Sequence, residues 1–253
     1  MVRGLECFKN YFSDYADQYV LIGGTACTLV MESAGLDFRA TKDLDIVLCV
    51  EALNAEFALA FWRFVKDGEY QNRQQSSGKD LFYRFHSPNN HNFPVMLEFF
   101  SRIPDGVKLG GEQHLTPIPI EESVTSLSAI LLDDDYYQLI HSGKYEVNGL
   151  PVVKASHLIP LKAKAWLDLS EKKSVGVSID EKDIRKHKND IIRLYQLLHA
   201  SDRIAMSTSI QQDMRAFIDC LEKDKPYNLK NLGIKHTSIE KLLLDFRQIY
   251  CID

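Results

Sequence analysis

Three acidic residues and a pair of glycines are the part of this sequence with the means to do chemistry. Gly23-Gly24-Thr25 closes the apolar run Tyr19-Val-Leu-Ile22, Asp43-Leu44-Asp45 begins nineteen residues beyond Gly24, and Glu98 stands alone inside Pro94-Val-Met-Leu-Glu-Phe-Phe100. Along a strand, residues i and i+2 face the same way, so Asp43 and Asp45 project together, roughly 7 Å apart, while Leu44 and Ile46 turn toward a core. A lone carboxylate between Leu97 and Phe99 is costly to bury unless something compensates it. If the strands carrying these residues are neighbours, three carboxylates crowd one spot. Two such charges 4 Å apart repel by about 4 kcal/mol at an effective dielectric of 20. A divalent cation relieves that repulsion, and an all-oxygen donor set favours Mg²⁺ over zinc. The glycines supply the complementary half. Lacking Cβ, they let backbone approach a ligand closely, and the helix that follows offers free N–H groups to an anion such as a triphosphate. Thr25 would cap that helix or touch a phosphate oxygen. Taken singly, an Asp-x-Asp is a solvated strand end and a Gly-Gly is a tight turn; in this order, with a third acid on a later strand, they describe a metal and phosphate site.

The elements needed to position these residues are legible in the hydrophobic pattern. Residues 5–17 read as a short amphipathic helix, 19–22 as a strand, 25–32 as a helix, 43–49 as a second strand and 51–65 as a helix with apolar residues at helical spacing. Residues 81–85 and 94–100 read as strands, with 71–79 and 87–92 as loops. A short strand is expected near 128–132 and a turn or short helix over 133–142. Asn148-Gly149 between two β-prone runs is a hairpin signal. From Ser156 onward the pattern is helical, with helices expected over 158–169, 181–199, 207–222 and 238–249 and breaks around 175–179 and 226–233. Pro160 places the start of the first near itself. A domain of strands and helices (1–154) followed by a helical one (155–253) is the expected organisation.

Bulk properties bound the rest. The chain has 253 residues, 45% hydrophobic and 26% charged, which is ample for a buried core. No run approaches the roughly 18 apolar residues of a membrane span, and the early acids Glu6, Asp14 and Asp17 argue against a secretory signal. Five scattered cysteines without a C-x-x-C pair read as small core hydrophobes in a reducing compartment. A soluble cytoplasmic protein is expected. Its net charge of −5 is uneven: residues 1–150 carry −9 and residues 151–253 carry +4. An acidic half that holds metal beside a basic half that meets phosphate fits this asymmetry, as does ordinary variation between halves.

The stretch LIGGTACTLVMESAGLDFRATKDLDIVL resembles the opening of the DNA polymerase-β-like nucleotidyltransferase superfamily: apolar strand, Gly-Gly, acid-x-acid strand, later single acid. The Gly-Gly-Thr-Ala start and the run from Arg39 through Thr41 to Asp43 and Asp45 resemble the AbiEii-like toxins, nucleotidyltransferases of bacterial type IV toxin–antitoxin systems. Lys162 with Ala165, and Lys188-Asn189-Asp190-Ile191-Ile192, fit that family's later motifs, so the resemblance spans residues 18–200. It implies an α+β fold, a palm-like mixed sheet with flanking helices, followed by a C-terminal helical bundle. It implies that Asp43 and Asp45 hold two Mg²⁺ ions, with Mn²⁺ as a substitute, and that Glu98 binds one of them and helps deprotonate an acceptor hydroxyl. It also implies that Gly23, Gly24, Thr25 and Arg39 meet the nucleotide, that Lys162 contacts phosphate, and that Asp190 orients the lysine or the nucleotide. The implied partners are an NTP, an RNA (tRNA foremost) or protein acceptor, and a cognate antitoxin, with no membrane. Thr25 stands where many of the wider superfamily carry Ser, and Lys164 competes with Lys162 for the family lysine.

Other signals are weaker. Gly78-Lys79 has Arg73 where a P-loop needs glycine. Asp133-Asp-Asp135 lacks the closing Glu of an EF-hand and reads as a helix start or exposed turn. The eight histidines form no ligand pair, and His187, between two lysines, reads as solvated. The basic stretch Lys182–Arg193 has the charge to meet nucleic-acid phosphate, though alternating charges on one helix usually face water. The alternative to an enzyme is a catalytically silent nucleotide- or partner-binding module of the same fold.

Overall fold

A computed structural model describes residues 2–74, 80–102, 115–117, 128–223 and 228–252; for 72–74, 80–83, 115–117 and 128–131 it describes the backbone alone. The chain divides into two compact units. One comprises Met1–Tyr137 with Lys144–Val153, and the other Gln138–Gly143 with Lys154–Asp253.

The first unit is built on a nine-stranded mixed sheet. Its strands are β1 (Tyr19–Ile22), β2 (Asp43–Leu48), β3 (Gln71–Gln74), β4 (Asp80–His86), β5 (Met96–Ser101), β6 (Leu115–Pro117), β7 (Ser128–Leu131), β8 (Lys144–Val147) and β9 (Leu150–Val153). They run in the order β3-β4-β5-β2-β1-β9-β8, with β7 pairing β5 and β6. The strand β1 is buried throughout, flanked by antiparallel β2 and parallel β9. In β2 the two aspartates are half-buried while Leu44 and Ile46–Leu48 are covered, so its acidic edge opens on one face only. Parallel pairing of β2 with β5 needs a crossover, and the intervening chain supplies it with α3 (Ala55–Asp67), β3 and β4.

Helices α1 (Leu5–Phe12) and α3 cover part of the sheet through aromatics. Phe8, Phe12 and Phe64 meet one another and, through Phe8 and Phe12, Tyr19, while Phe61 packs against Phe85 of β4 and Phe99 of β5. Rings of this kind each bury large apolar area and add edge-to-face contacts of about 1 kcal/mol. The α3 helix starts later than its pattern suggests, at Ala55, because Asn54 Oδ1 accepts from the Phe57 N–H and caps it. The Asn148-Gly149 hairpin forms as expected, with both residues at positive φ. One expectation fails here: Gln71–Gln74, read as loop, is an edge strand paired with β4 through its backbone. Its Gln and Asn side chains carry no strand signal, and edge pairing does not need one. The rest of that expected loop, 75–79, lies outside the described residues, as does Pro226 in the second expected break.

The second unit contains α5 (Ala155–Ser174), α6 (Glu181–Leu194), α7 (Thr208–Lys223) and α8 (Ile239–Ile249), a helical bundle as expected. The chain passes between the units within α4 (Asp134–Ser142), returns after Gly143 and leaves the first unit for good after Val153; the start of α4 is marked by Asp133 Oδ1 accepting from the Asp135 N–H. Pro160 does not mark the start of α5. It sits one and a half turns inside. A proline there removes the donor that would bond the carbonyl four residues earlier; that carbonyl is Ser156, and the buried Tyr250 hydroxyl donates to it at 2.8 Å. A distant side chain thus replaces the missing helical bond.

Of the cysteines, Cys27 and Cys49 are buried as expected, but Cys220 and Cys251 are exposed and Cys7 is half-buried. His187 is half-buried instead of solvated, with its Nδ1 enclosed; it shares a helical face with Ile184 and Ile191, which carries it toward the core.

Candidate functional site

The first unit brings the glycine bend and all three acids to adjacent strands. Ile22 pairs with Asp45, and Asp45 pairs in parallel register with Glu98. Directly paired residues project to the same side of a sheet, so Asp43, Asp45 and Glu98 share one face. Glu98 pairs in turn with Arg84 of β4. The result is a lateral row, Ile22, Asp45, Glu98, Arg84, across four strands.

The glycines act as backbone clearance. Gly23 has φ +65°, and a Cβ there would fall 1.7 Å from Asp45 Oδ2. Any side chain at this position would drive the carboxylate away, so only glycine admits Asp45 where it stands. At Gly24 a Cβ would lie 2.5 Å from Thr41 Oγ1 and 3.7 Å from an Arg39 guanidinium nitrogen. Both glycines are already the first residues of α2 (Gly23–Ser33), not a separate turn before it. No side chain caps this helix at Ile22, and Arg39 lies beside Gly24 at a helix start, the end that favours an anion. Thr25 neither caps the helix nor points outward: fully buried, its hydroxyl donates to the Asp43 carbonyl at 2.7 Å. That bond pins the start of α2 to the start of the Asp-x-Asp strand.

Glu98 is buried and engaged. Arg84 Nε donates to its Oε1 at 2.6 Å and Nη2 bonds the same oxygen. The pair answers the cost of a carboxylate in an apolar strand, which the sequence poses without showing what meets it. Arg84 is the functional-site residue that motif reasoning misses; its only sequence signal is a second lone charge in an apolar strand, Leu81-Phe-Tyr-Arg-Phe85. As a donor set the three carboxylates suit a hard divalent cation, and the missing side chain of Gly23 leaves the room that the Asp45 carboxylate occupies. Among the described residues, however, no three His, Cys, Asp or Glu side chains are gathered closely enough to hold an ion, and Glu98 is engaged by Arg84.

The remaining expected residues lie in the second unit. Lys162 of α5 and Asp190 of α6 are buried and form an ion pair at 2.9 Å, with Arg193 Nη1 3.9 Å from the other Asp190 oxygen. Lys164 faces the opposite way in chemical terms: it is partly exposed and paired with Asp168 and Asp213 at 3.3 and 3.6 Å. Of the two competing lysines, Lys162 is the buried one, held by a fully buried carboxylate, while the carboxylates that hold Lys164 are themselves partly exposed. Of the basic residues of α6, Lys182 and Arg185 are exposed while Lys186, Lys188 and Arg193 are half-buried, and Lys186 pairs locally with Asp183.

No protein-family model and no curated protein matches the chain. Among solved structures it is similar to an antigenic nucleotidyltransferase-like protein from Paracoccidioides brasiliensis, at 15% identity and TM-score 0.42, over 96% of this chain and 93% of that one. It is similar to JHP933 from Helicobacter pylori, at 14% identity and TM-score 0.41, over 96% and 85%. It is also similar to the Megavirus polyadenylate synthase, at 8% identity and TM-score 0.39, over 87% of this chain and 36% of the viral one. At these values the reading of the site rests on its own geometry.

Proposed function

We propose that the first unit is a divalent-ion-dependent nucleotidyltransferase that moves a nucleotidyl group from an NTP to an acceptor hydroxyl. The observation that carries this is the Asp45–Glu98 register beside Gly23, where a side chain is sterically forbidden by Asp45 itself. Asp43, Asp45 and Glu98 would hold Mg²⁺, or Mn²⁺ in its place. The bound ion would neutralise phosphate charge and favour ionisation of the acceptor hydroxyl. The chain's own groups do the positioning. The uncapped start of α2 and Arg39 receive phosphate oxygens, and Gly24 lets the backbone come close. In the transfer the acceptor oxygen bonds to the α-phosphorus, the bond to the β-phosphate oxygen breaks, pyrophosphate leaves, and the hydroxyl proton passes to a carboxylate or water. The part assigned to Lys162 as phosphate contact and Asp190 as its orienting partner rests on the resemblance, supported by their buried pairing. On the same footing we propose an RNA acceptor, tRNA first and a protein hydroxyl second, with a toxin-like role and a cognate antitoxin. Labelled NTPs with Mg²⁺ and total RNA test the reaction: label transfer that vanishes in Asp43→Asn/Asp45→Asn supports it, and transfer unaffected by that change overturns it.

A second reading, a silent module of the same fold, is favoured by one feature, the commitment of Glu98 to Arg84. Calorimetry that finds divalent-dependent NTP binding without pyrophosphate release would select it.

A further inference from the structure

The Arg84–Glu98 pair sits within the donor set itself, and this is unlike an ordinary cross-strand ion pair. Glu98 is the residue opposite Asp45, and Arg84 is the residue opposite Glu98, so carboxylate, carboxylate and guanidinium stand side by side across three strands. Two guanidinium nitrogens converge on a single Glu98 oxygen, a charge-assisted grip that leaves the other oxygen outside it. Arg84 keeps part of its side chain in solvent (29% exposed) while Glu98 is 12% exposed. The cation of the pair therefore has somewhere to go and the anion does not.

The geometry points to Arg84 as an internal counter-ion that occupies Glu98 until a divalent cation replaces it. This rests on the reading of Asp43, Asp45 and Glu98 as the ion-holding set. Three carboxylates on one face repel one another when no cation is present; Arg84 removes one of them from that repulsion and so stabilises the acidic face when no ion is bound. Loading the site transfers Glu98 from the guanidinium to the ion and releases the guanidinium toward solvent, where an incoming triphosphate presents oxygens that match its fork. Arg84 is thus a positioning residue: it sets the affinity of the ion-free protein for a cation by competing for one donor.

Electron paramagnetic resonance of free Mn²⁺, without nucleotide, tests this on the full chain. Arg84→Met keeps the apolar stem and removes the charge; it should bind Mn²⁺ at least fivefold more tightly than the unaltered protein, and the gain should vanish when Glu98→Gln is added. In EDTA the same variant should melt at a lower temperature, while its Mn²⁺-induced rise in Tm should be larger. Equal or weaker Mn²⁺ binding by Arg84→Met overturns the inference, as does a gain that persists with Glu98→Gln. If Arg84→Met does not fold, Arg84→Lys, which grips through one point, should bind at least twofold more tightly, and unchanged binding overturns the inference equally. Mn²⁺ binding by the unaltered protein with no gain in either variant removes only the role of Arg84. Absence of Mn²⁺ binding from the unaltered protein and all variants removes the nucleotidyl-transfer reading with it.

Discussion

Asp45 and Gly23 exclude each other's alternatives: the carboxylate occupies the volume that a Cβ would need. Gly23→Ala should therefore lower stability by about 1–3 kcal/mol, combining the positive-φ strain with displacement of Asp45. It should also abolish the divalent-dependent rise in Tm, and differential scanning fluorimetry with and without Mg²⁺ reads both effects. Asp45→Asn keeps the shape and should leave the ion-free Tm nearly unchanged. Transfer activity in that variant should fall on the order of 100-fold or more, since loss of even an outer-shell partner costs metal sites 10–100-fold. The same logic applied to Lys162 and Asp190 gives a structural result. Asp190→Asn leaves a buried ammonium without its compensating charge and should cost about 3–5 kcal/mol, whereas Lys162→Met/Asp190→Leu, which removes both charges, should cost less than the single change. Urea unfolding of the three proteins checks the order.

Secondary elements in this chain are completed from outside themselves. Helix α2 begins where Thr25 is tied to β2, and α5 tolerates Pro160 because Tyr250, ninety residues later, donates to the Ser156 carbonyl. Tyr250→Phe should destabilise the protein by about 1–3 kcal/mol, the cost of a buried carbonyl left unpaired. Pro160→Ala restores an N–H at the place where the proline lacks one. The two changes should then be non-additive, with Pro160→Ala softening the loss from Tyr250→Phe, and a double-mutant cycle by chemical denaturation measures the coupling. The hydrophobic period announces α5 itself plainly. Its true start was not legible, because a proline conventionally marks a first turn and the rescuing hydroxyl is invisible in local sequence. Edge strand β3 was missed for a related reason: pairing by backbone alone leaves no mark on side-chain pattern.

At the scale of the whole chain, stability against acid carries the signature of one buried imidazole. His157 lies under 10% exposed beside Ser156 Oγ, and burial pushes its pKa down from 6.5 to about 4. The unfolded chain binds this proton below pH 6.5 and the folded chain does not until near pH 4. Stability is thus complete above about 6.5 and falls as pH drops toward 4, and His157→Gln should flatten the Tm–pH curve in that window. The mixed sheet was implied by the family resemblance alone; hydrophobic period was enough to determine a domain of strands and helices followed by a helical one, and the glycine and acid spacing to mark Gly23, Gly24, Asp43, Asp45 and Glu98 as one group. These are local properties: a strand's period, a missing Cβ and the alternation of faces are carried by each segment alone. Only the tertiary structure decided that Glu98 stands opposite Asp45 and is held by Arg84, that Thr25 is spent on the Asp43 backbone, and that Lys162 rather than Lys164 is the buried lysine. Each of those facts is a pairing between segments remote in sequence, set by strand register and helix packing that no single segment encodes.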